Sequence, residues 1–372
     1  MQDDTCFMRH MLAANNTLLI RGPASLRLLS GDAEVLGASL DRNRKLAVRK
    51  DKQLPVEART QADLEILLGK SGEIFEIGGS TIPASWKIAA EALAEMEQGK
   101  VMVIGMTDVG KSTLCAYLIN RLLQQGLSPV VVDGDIGQSD IGPPTTVGTS
   151  VPTTSVSSLV DLRPEAIIFI GHTSPSHVET KIIDGLKRLS DRMEDSLTII
   201  NTDGWILDPE AISYKARMII ETKPDLVIGL ANGTELQPIL SGSGAQSLSI
   251  DTAKEVLARS RIDRREIRTA SYRRFLEGAR TRAMSLQGVS ISTPKGFPQV
   301  EGPKARELSN LVVGLLNNDG YMLQIGILIG LGKGTARVYC RPVEAVRKIE
   351  VGYVKLSTTG TELGYFEPRQ PY

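Results

Sequence analysis

Gly105-Met106-Thr107-Asp108-Val109-Gly110-Lys111-Ser112-Thr113 is the stretch on which the fold turns. It fits the pattern G-x-x-x-x-G-K-[ST], in which glycines let the backbone wrap a phosphate. The apolar run Val101–Ile104 before it reads as a buried strand. Lys111–Gln125 after it reads as a helix, with Leu114, Leu118 and Leu122 on one stripe and Gly126 as its stop. Strand, glycine loop and helix in that order make a phosphate loop of a loose pattern. Loop amides and the helix N-terminus direct positive charge at the phosphates. In such a loop Lys111 reaches the β- and γ-phosphates, and Ser112 holds Mg²⁺. Two other P-loop classes fit poorly. Thr222-Lys223-Pro224-Asp225 has the letters of a guanine-reading motif but precedes its strand, and Met106 stands where partitioning ATPases carry a lysine.

Outward from the loop, apolar strands (Val130–Val132, Ala166–Ile170, Leu197–Ile200, Leu226–Leu230) alternate with helical stretches at His177–Met193 and Pro209–Thr222. That alternation predicts a parallel sheet covered on both faces. The flanks differ. Short strand-like runs separated by turn residues fill the chain up to residue 82, and others return after about residue 286. The expected architecture is an α/β P-loop domain with a parallel sheet (83–285), flanked by small β domains at the N-terminal (1–82) and C-terminal (286–372) sides.

Composition narrows the class. In 372 residues, Lys+Arg and Asp+Glu balance at 43 each, which excludes unselective coating of nucleic acid but not a local basic site. Three scattered cysteines, Cys6, Cys115 and Cys340, form no disulfide framework or metal spacing. Asp3 and Asp4 argue against a signal peptide, and the longest apolar candidate, Tyr321–Leu331, is too short to span a bilayer and contains Gln324. The reading is a cytoplasmic protein without a membrane partner.

Three further features carry chemistry. Asp133 and Asp135 end a strand on the side where ligands sit in open α/β sheets. Carboxylates at i and i+2 there divide two tasks, orienting Mg²⁺ or its water and accepting a proton from an attacking hydroxyl. Nine arginines lie between Arg259 and Arg282. Guanidinium forks suit phosphate oxygens, and the run past Arg273 reads as a solvated basic face. Trp205 follows a strand and Gly204 at the ligand end and reads as a stacking platform for a base, whereas Trp86, near the start of a helix, reads as core.

Together these residues resemble the polynucleotide 5′-hydroxyl kinases, the family of the kinase subunit of the mRNA 3′-cleavage machinery and its archaeal relatives. The resemblance runs from Thr107–Thr113 through Asp133-Gly134-Asp135-Ile136-Gly137-Gln138 and Gly171-His172-Thr173-Ser174-Pro175. It continues in Asn201-Thr202-Asp203-Gly204-Trp205 and in Arg259, Arg261, Arg264, Arg265 and Arg268. Met106 and Gly134 depart from the family's usual residues without removing a functional group. The resemblance implies transfer of the γ-phosphoryl group of ATP to the 5′-hydroxyl end of RNA, with DNA as the second candidate acceptor. It implies ATP on Gly105–Thr113, Asp135 as general base, and Mg²⁺ held by Ser112 and Asp133. It implies Lys111, Arg264 and Arg268 as charge-stabilising residues, and Asp108, Gln138, Thr173, Trp205 and Arg259 around the nucleic acid. Two alternatives share the phosphate residues: an ATP-loaded, slow scaffold of an RNA-processing complex, and a P-loop kinase of a small molecule.

Overall fold

A computed structural model describes residues 5–193, 195–300 and 303–367, so Asp3 and Asp4 lie outside the described residues. The central domain is built on a seven-stranded sheet. An interior strand, Gly99–Gly105, pairs in parallel with Leu197–Asn201 on one side and Leu226–Leu230 on the other. Both faces are covered, so the strand alternates between two cores. Val101 and Val103 pack into one, Met102 and Ile104 into the other, and all four are fully buried. The sheet continues through Val130–Asp133, parallel to Leu197–Asn201, and through Ser247–Ile250 at the opposite edge.

The sheet is not wholly parallel. Thr146–Ser150 runs antiparallel between Val130–Asp133 and Ala166–Phe169. Its five residues, Thr-Val-Gly-Thr-Ser, lack the apolar run that marks the other strands, although all five are buried. The helices meet the sequence reading closely: Lys111–Gln124, Glu179–Asp191 and Pro209–Thr222. The last is capped by Asp208, whose carboxylate accepts from the Ala211 amide.

The N-terminal region is a sandwich of a four-stranded and a five-stranded sheet. It is joined to the phosphate-loop helix by Asn120, which is fully buried. Its Nδ2 donates to the carbonyls of Leu36 and Val156, and its Oδ1 accepts from the Val156 amide. Polar groups at Asp51–Gln53 make a second seam. Lys52 pairs with Asp140 at 3.0 Å, and Gln53 donates to the Glu255 carbonyl.

The C-terminal region is a second seven-stranded sheet, with Arg280–Ser285 pairing against Thr335–Cys340 at its edge. It docks on the rim of the central sheet. Phe169 is 1% exposed, and a Cβ on Gly314 would lie 2.5 Å from its ring, so glycine is what admits the aromatic there. Burial of such a ring contributes about 1.5–3 kcal/mol. Backbones also meet: the Tyr353 amide donates to the Gly171 carbonyl at 2.7 Å. Among the described residues no helix is long and apolar enough to cross a membrane.

Replacing Asn120 by alanine strands two buried carbonyls and one buried amide at the seam between the N-terminal sandwich and the phosphate-loop helix. Each unsatisfied group costs about 1–3 kcal/mol. Urea denaturation of Asn120→Ala is expected to show a stability loss on the order of 3 kcal/mol, and a loss under about 0.5 kcal/mol would contradict this role.

Candidate active site

The cleft opens at the carboxyl ends of the parallel strands, where Gly105, Asp133 and Asn201 leave the sheet. The phosphate loop starts at Gly105 with φ +159°, turns through Asp108 at φ +59° and enters the helix from Gly110 at φ +97°. Asp108 is the one non-glycine of the three in the left-handed region. Gly204 lets the neighbouring loop approach closely, since a Cβ there would sit 2.4 Å from the Thr107 amide nitrogen.

Lys111 is 7% exposed and its Nζ donates to the carbonyls of Gly105 at 2.9 Å and Met106 at 2.7 Å. Burial lowers its pKa to about 8, against the opposing pull of Asp135. Behind it lies a pair the sequence reading did not single out. Lys215, wholly buried, donates to Asp203 at 2.7 Å, and the Tyr214 hydroxyl donates to the same carboxylate at 3.0 Å. A sequence signal did exist: Lys215 lies on the same stripe as Ala211, Tyr214 and Met218, where a helix buries apolar side chains.

The two strand-end carboxylates differ. Asp133 is fully buried and accepts from the amides of Asp140 and Ile141, from Ser139 and from Asn201 Nδ2 at 2.9 Å. Desolvation, with Asp140 and Asp135 nearby, raises its pKa to about 7. Asp135 lies in the cleft wall beside Lys111, Ser112 and Gln138. One of its oxygens accepts from the amides of Gly137 and Gln138, at 3.1 and 2.9 Å. Burial raises its pKa and Lys111 lowers it.

No metal-binding group of three or more His, Cys, Asp or Glu exists among the described residues. The donors near the loop are hard oxygens instead. Asn201 Nδ2 bridges the Ser112 hydroxyl at 3.3 Å and Asp133, while its buried Oδ1 has no partner. Hydroxyl, carboxylate and amide oxygens suit Mg²⁺ that keeps several of its waters.

The arginines divide. Ser260 and Asp263 form a capping box that starts the helix Arg261–Leu276, the lid helix. Arg264 Nη2 donates to Asp108 Oδ2 at 2.7 Å, and the Arg259 amide donates to the same oxygen at 3.1 Å. Arg259 also reaches the Asp51 carbonyl in the N-terminal sandwich. Both therefore stand over the phosphate loop. Arg268 does not: it makes a two-pronged pair with Glu362 of the C-terminal sheet, at 2.6 and 2.8 Å, and Arg265 donates to the Glu362 carbonyl. Past Arg273, Arg274 is engaged with the carbonyls of Val160 and Asp140 and is partly buried.

Gln138 donates to the Gly137 carbonyl and lines the cleft. Thr173 bonds the Tyr365 hydroxyl at 2.6 Å and stands against Gly137. Trp205 is half-buried, its ring 5.6 Å from that of Tyr214, with Nε1 donating to Asp208 at 2.6 Å. Trp86 is fully buried and donates to the Asp251 carbonyl. Away from the phosphates, Leu54 and Pro55 of the sandwich and Leu257 form an apolar wall of the cleft. The sequence reading named none of these wall residues.

Residues 105–278 match the family described as mRNA cleavage and polyadenylation factor CLP1 P-loop. A polyribonucleotide 5′-hydroxyl-kinase of Pyrococcus furiosus is 29% identical over 343 residues, covering 77% of this chain and 96% of that protein. One of Methanocaldococcus jannaschii is 26% identical over 327 residues, covering 72% of this chain and 90% of that protein. A CLP1 homologue of Nematostella vectensis is 28% identical over 284 residues, covering 68% of this chain and 65% of that protein. The fold recurs in a chain of the wild-type Clp1p–Pcf11p complex, with a TM-score of 0.71 at 13% identity, covering 95% of this chain and 99% of that one. Through residues 105–278, from the phosphate loop to the end of the helix Arg261–Leu276, the chain is similar to the CLP1 P-loop family.

Proposed function

We propose that the protein is an ATP-dependent polyribonucleotide 5′-hydroxyl kinase. The observation that carries this reading is Asp135, a cleft-facing carboxylate beside the phosphate-loop lysine with one oxygen tied to backbone amides. The archaeal relatives that bear that name support the substrate class.

The RNA 5′-oxygen forms a bond to the γ-phosphorus of ATP, and the bond from that phosphorus to the β,γ-bridging oxygen breaks, releasing ADP. Asp135 takes the proton of the attacking hydroxyl. Lys111 and the amides of Gly105–Thr113 hold the phosphate oxygens, and Arg264 supplies charge over the loop once it exchanges Asp108 for phosphate. Ser112 and Asp133 would hold Mg²⁺, which would supply neutralisation of the phosphate charge. Trp205, fixed in plane by Asp208, offers a surface for the terminal base, with Thr173 and Gln138 beside it. Arg259 and Asp108 border the acceptor. We assign Arg268 a positioning role: through Glu362 it fixes the lid helix to the C-terminal sheet.

Loss of a general base lowers rate by about 10²–10⁴-fold. Asp135→Asn is expected to lose single-turnover transfer by that factor while ATP affinity stays within a few-fold; near-normal transfer would remove Asp135 from the role. The pH profile gives a second check. The base must be ionised and Lys111 charged. kcat/KM is therefore expected to fall as pH drops through an Asp135 pKa above the ordinary value of about 4, and as pH rises past about 8 through that of Lys111. Bound phosphates hold the Lys111 proton, so the alkaline limb is expected in kcat/KM and not in kcat. An alkaline limb of equal position in both would contradict this.

The arginines separate by readout. Arg264→Ala is expected to lower kcat by about 10³-fold, the low end for an arginine finger, with an unchanged melting temperature. Arg268→Ala leaves Glu362 buried and unpaired, a loss of about 3–5 kcal/mol that a Glu362→Gln second change relieves in part. Normal turnover in Arg264→Ala, or an unaltered melting temperature in Arg268→Ala, would overturn the respective assignment.

A further inference from the structure

A second cavity, of about 580 Å³, opens between the central domain and the C-terminal sheet. It is lined by Lys181 and His177 from the central domain and by Lys295, Lys348 and Tyr353 from the C-terminal region. Its charge is unbalanced. Lys181 and Lys348 share one carboxylate, Glu350, and Glu179 is paired with Arg217. Lys295, exposed, has no ion-pair partner among the described residues. Hydroxyls of Ser176, Thr180 and Thr293 add donors at the same wall.

The cavity is joined to the candidate active site by a run of rings. The His172 ring lies 4.9 Å from His177, 5.1 Å from Tyr353 and 5.1 Å from Tyr365, stacked in the last case. Tyr365 bonds Thr173, and Thr173 stands against Gly137, two residues from Asp135. Tyr365 is nevertheless 42% exposed. Burial lowers the pKa of His172 to about 4, so this central ring carries no charge at neutral pH. The exposed rings of Tyr365 and His177 at the two ends of this run, with exposed Lys295 beyond, suit a strand that carries bases on one side and phosphates on the other.

We propose that this seam is the track for the RNA downstream of its 5′-terminal nucleotide, with Tyr365 stacking a base and Lys295 and Lys348 meeting backbone phosphates. The assignment rests on the kinase reading above and extends it to substrate length. It makes the C-terminal sheet part of the RNA surface and predicts a preference for oligomers over the shortest acceptors.

The test compares a 5′-hydroxyl RNA dinucleotide with a decamer. For Lys295→Glu, KM for the decamer is expected to rise about fivefold to tenfold with the dinucleotide unchanged, while Lys295→Arg stays near wild type. Decamer affinity, read by fluorescence anisotropy in a non-hydrolysable ATP analogue, is expected to fall in parallel. Its dependence on salt is expected to weaken by about 0.7 in log–log slope for each backbone phosphate that the variant no longer neutralises. Tyr365→Ala is expected to weaken decamer binding about fivefold or more, and Tyr365→Phe, which keeps the ring, much less. Equal effects on dinucleotide and decamer, or unchanged decamer affinity in Lys295→Glu and Tyr365→Ala, overturn the track; the second result leaves the cavity to an acidic protein segment. Because anisotropy needs no turnover, the track is judged even if transfer fails. Dinucleotide phosphorylation by the wild type judges the kinase reading separately.

Discussion

A positive charge has to be kept where water is scarce: Lys111 is buried, and much of the cleft is arranged around it. An isolated ammonium in that position would be expelled or neutralised. Two loop carbonyls accept from it, and Asp135 opposes the loss of its proton. The same interaction acts in reverse on Asp135, whose pKa burial raises and Lys111 lowers. Each group opposes the other's loss of charge, so the phosphate grip and proton acceptance proposed for them would be properties of one electrostatic unit. The Lys215–Asp203 pair belongs to it as well. Lys215 alone would push the Lys111 proton off; Asp203, at 2.7 Å from Lys215, offsets that push.

Around this unit the lid helix is the part on which all three regions converge. Its capping box fixes where it starts, and Arg259 reaches from that start to the N-terminal sandwich. Arg264 rests on the phosphate loop, and Arg268 and Arg265 on Glu362 of the C-terminal sheet. Asp108 is the pivot of the arrangement. A carboxylate inside a phosphate-binding loop repels the ligand unless it is neutralised, and here Arg259 and Arg264 neutralise it. In the proposed reaction, nucleotide binding and release of the arginines would be coupled through this one side chain.

The phosphate loop, the Asp133–Asp135 step and the lid arginines were legible in the sequence because their chemistry is written in contiguous letters. So were the helix Pro209–Thr222 and the strands of continuous apolar residues. In the central sheet two strands escaped notice, Thr146–Ser150 and Ser247–Ile250, since neither has the length or apolar content that marks a buried strand. Arginine chemistry was legible but not its direction. Arg264 and Arg268 lie one turn apart, yet one faces Asp108 and the other Glu362, which is 94 positions further along the chain. No local pattern encodes such a partner. The sequestration of Asp133 was likewise hidden, since it depends on the amides of Asp140 and Ile141 closing over that carboxylate.

The central claim is that phosphoryl leaves ATP for a 5′-hydroxyl of RNA. The most direct measurement follows γ-labelled ATP incubated with paired RNA oligomers that differ only in carrying a 5′-hydroxyl or a 5′-phosphate. The account predicts label at the 5′ end of the hydroxyl oligomer, removable by a phosphatase, and none on its partner. ATP bound in the cleft with the label retained, or released only as inorganic phosphate in the presence of the hydroxyl oligomer, would contradict it.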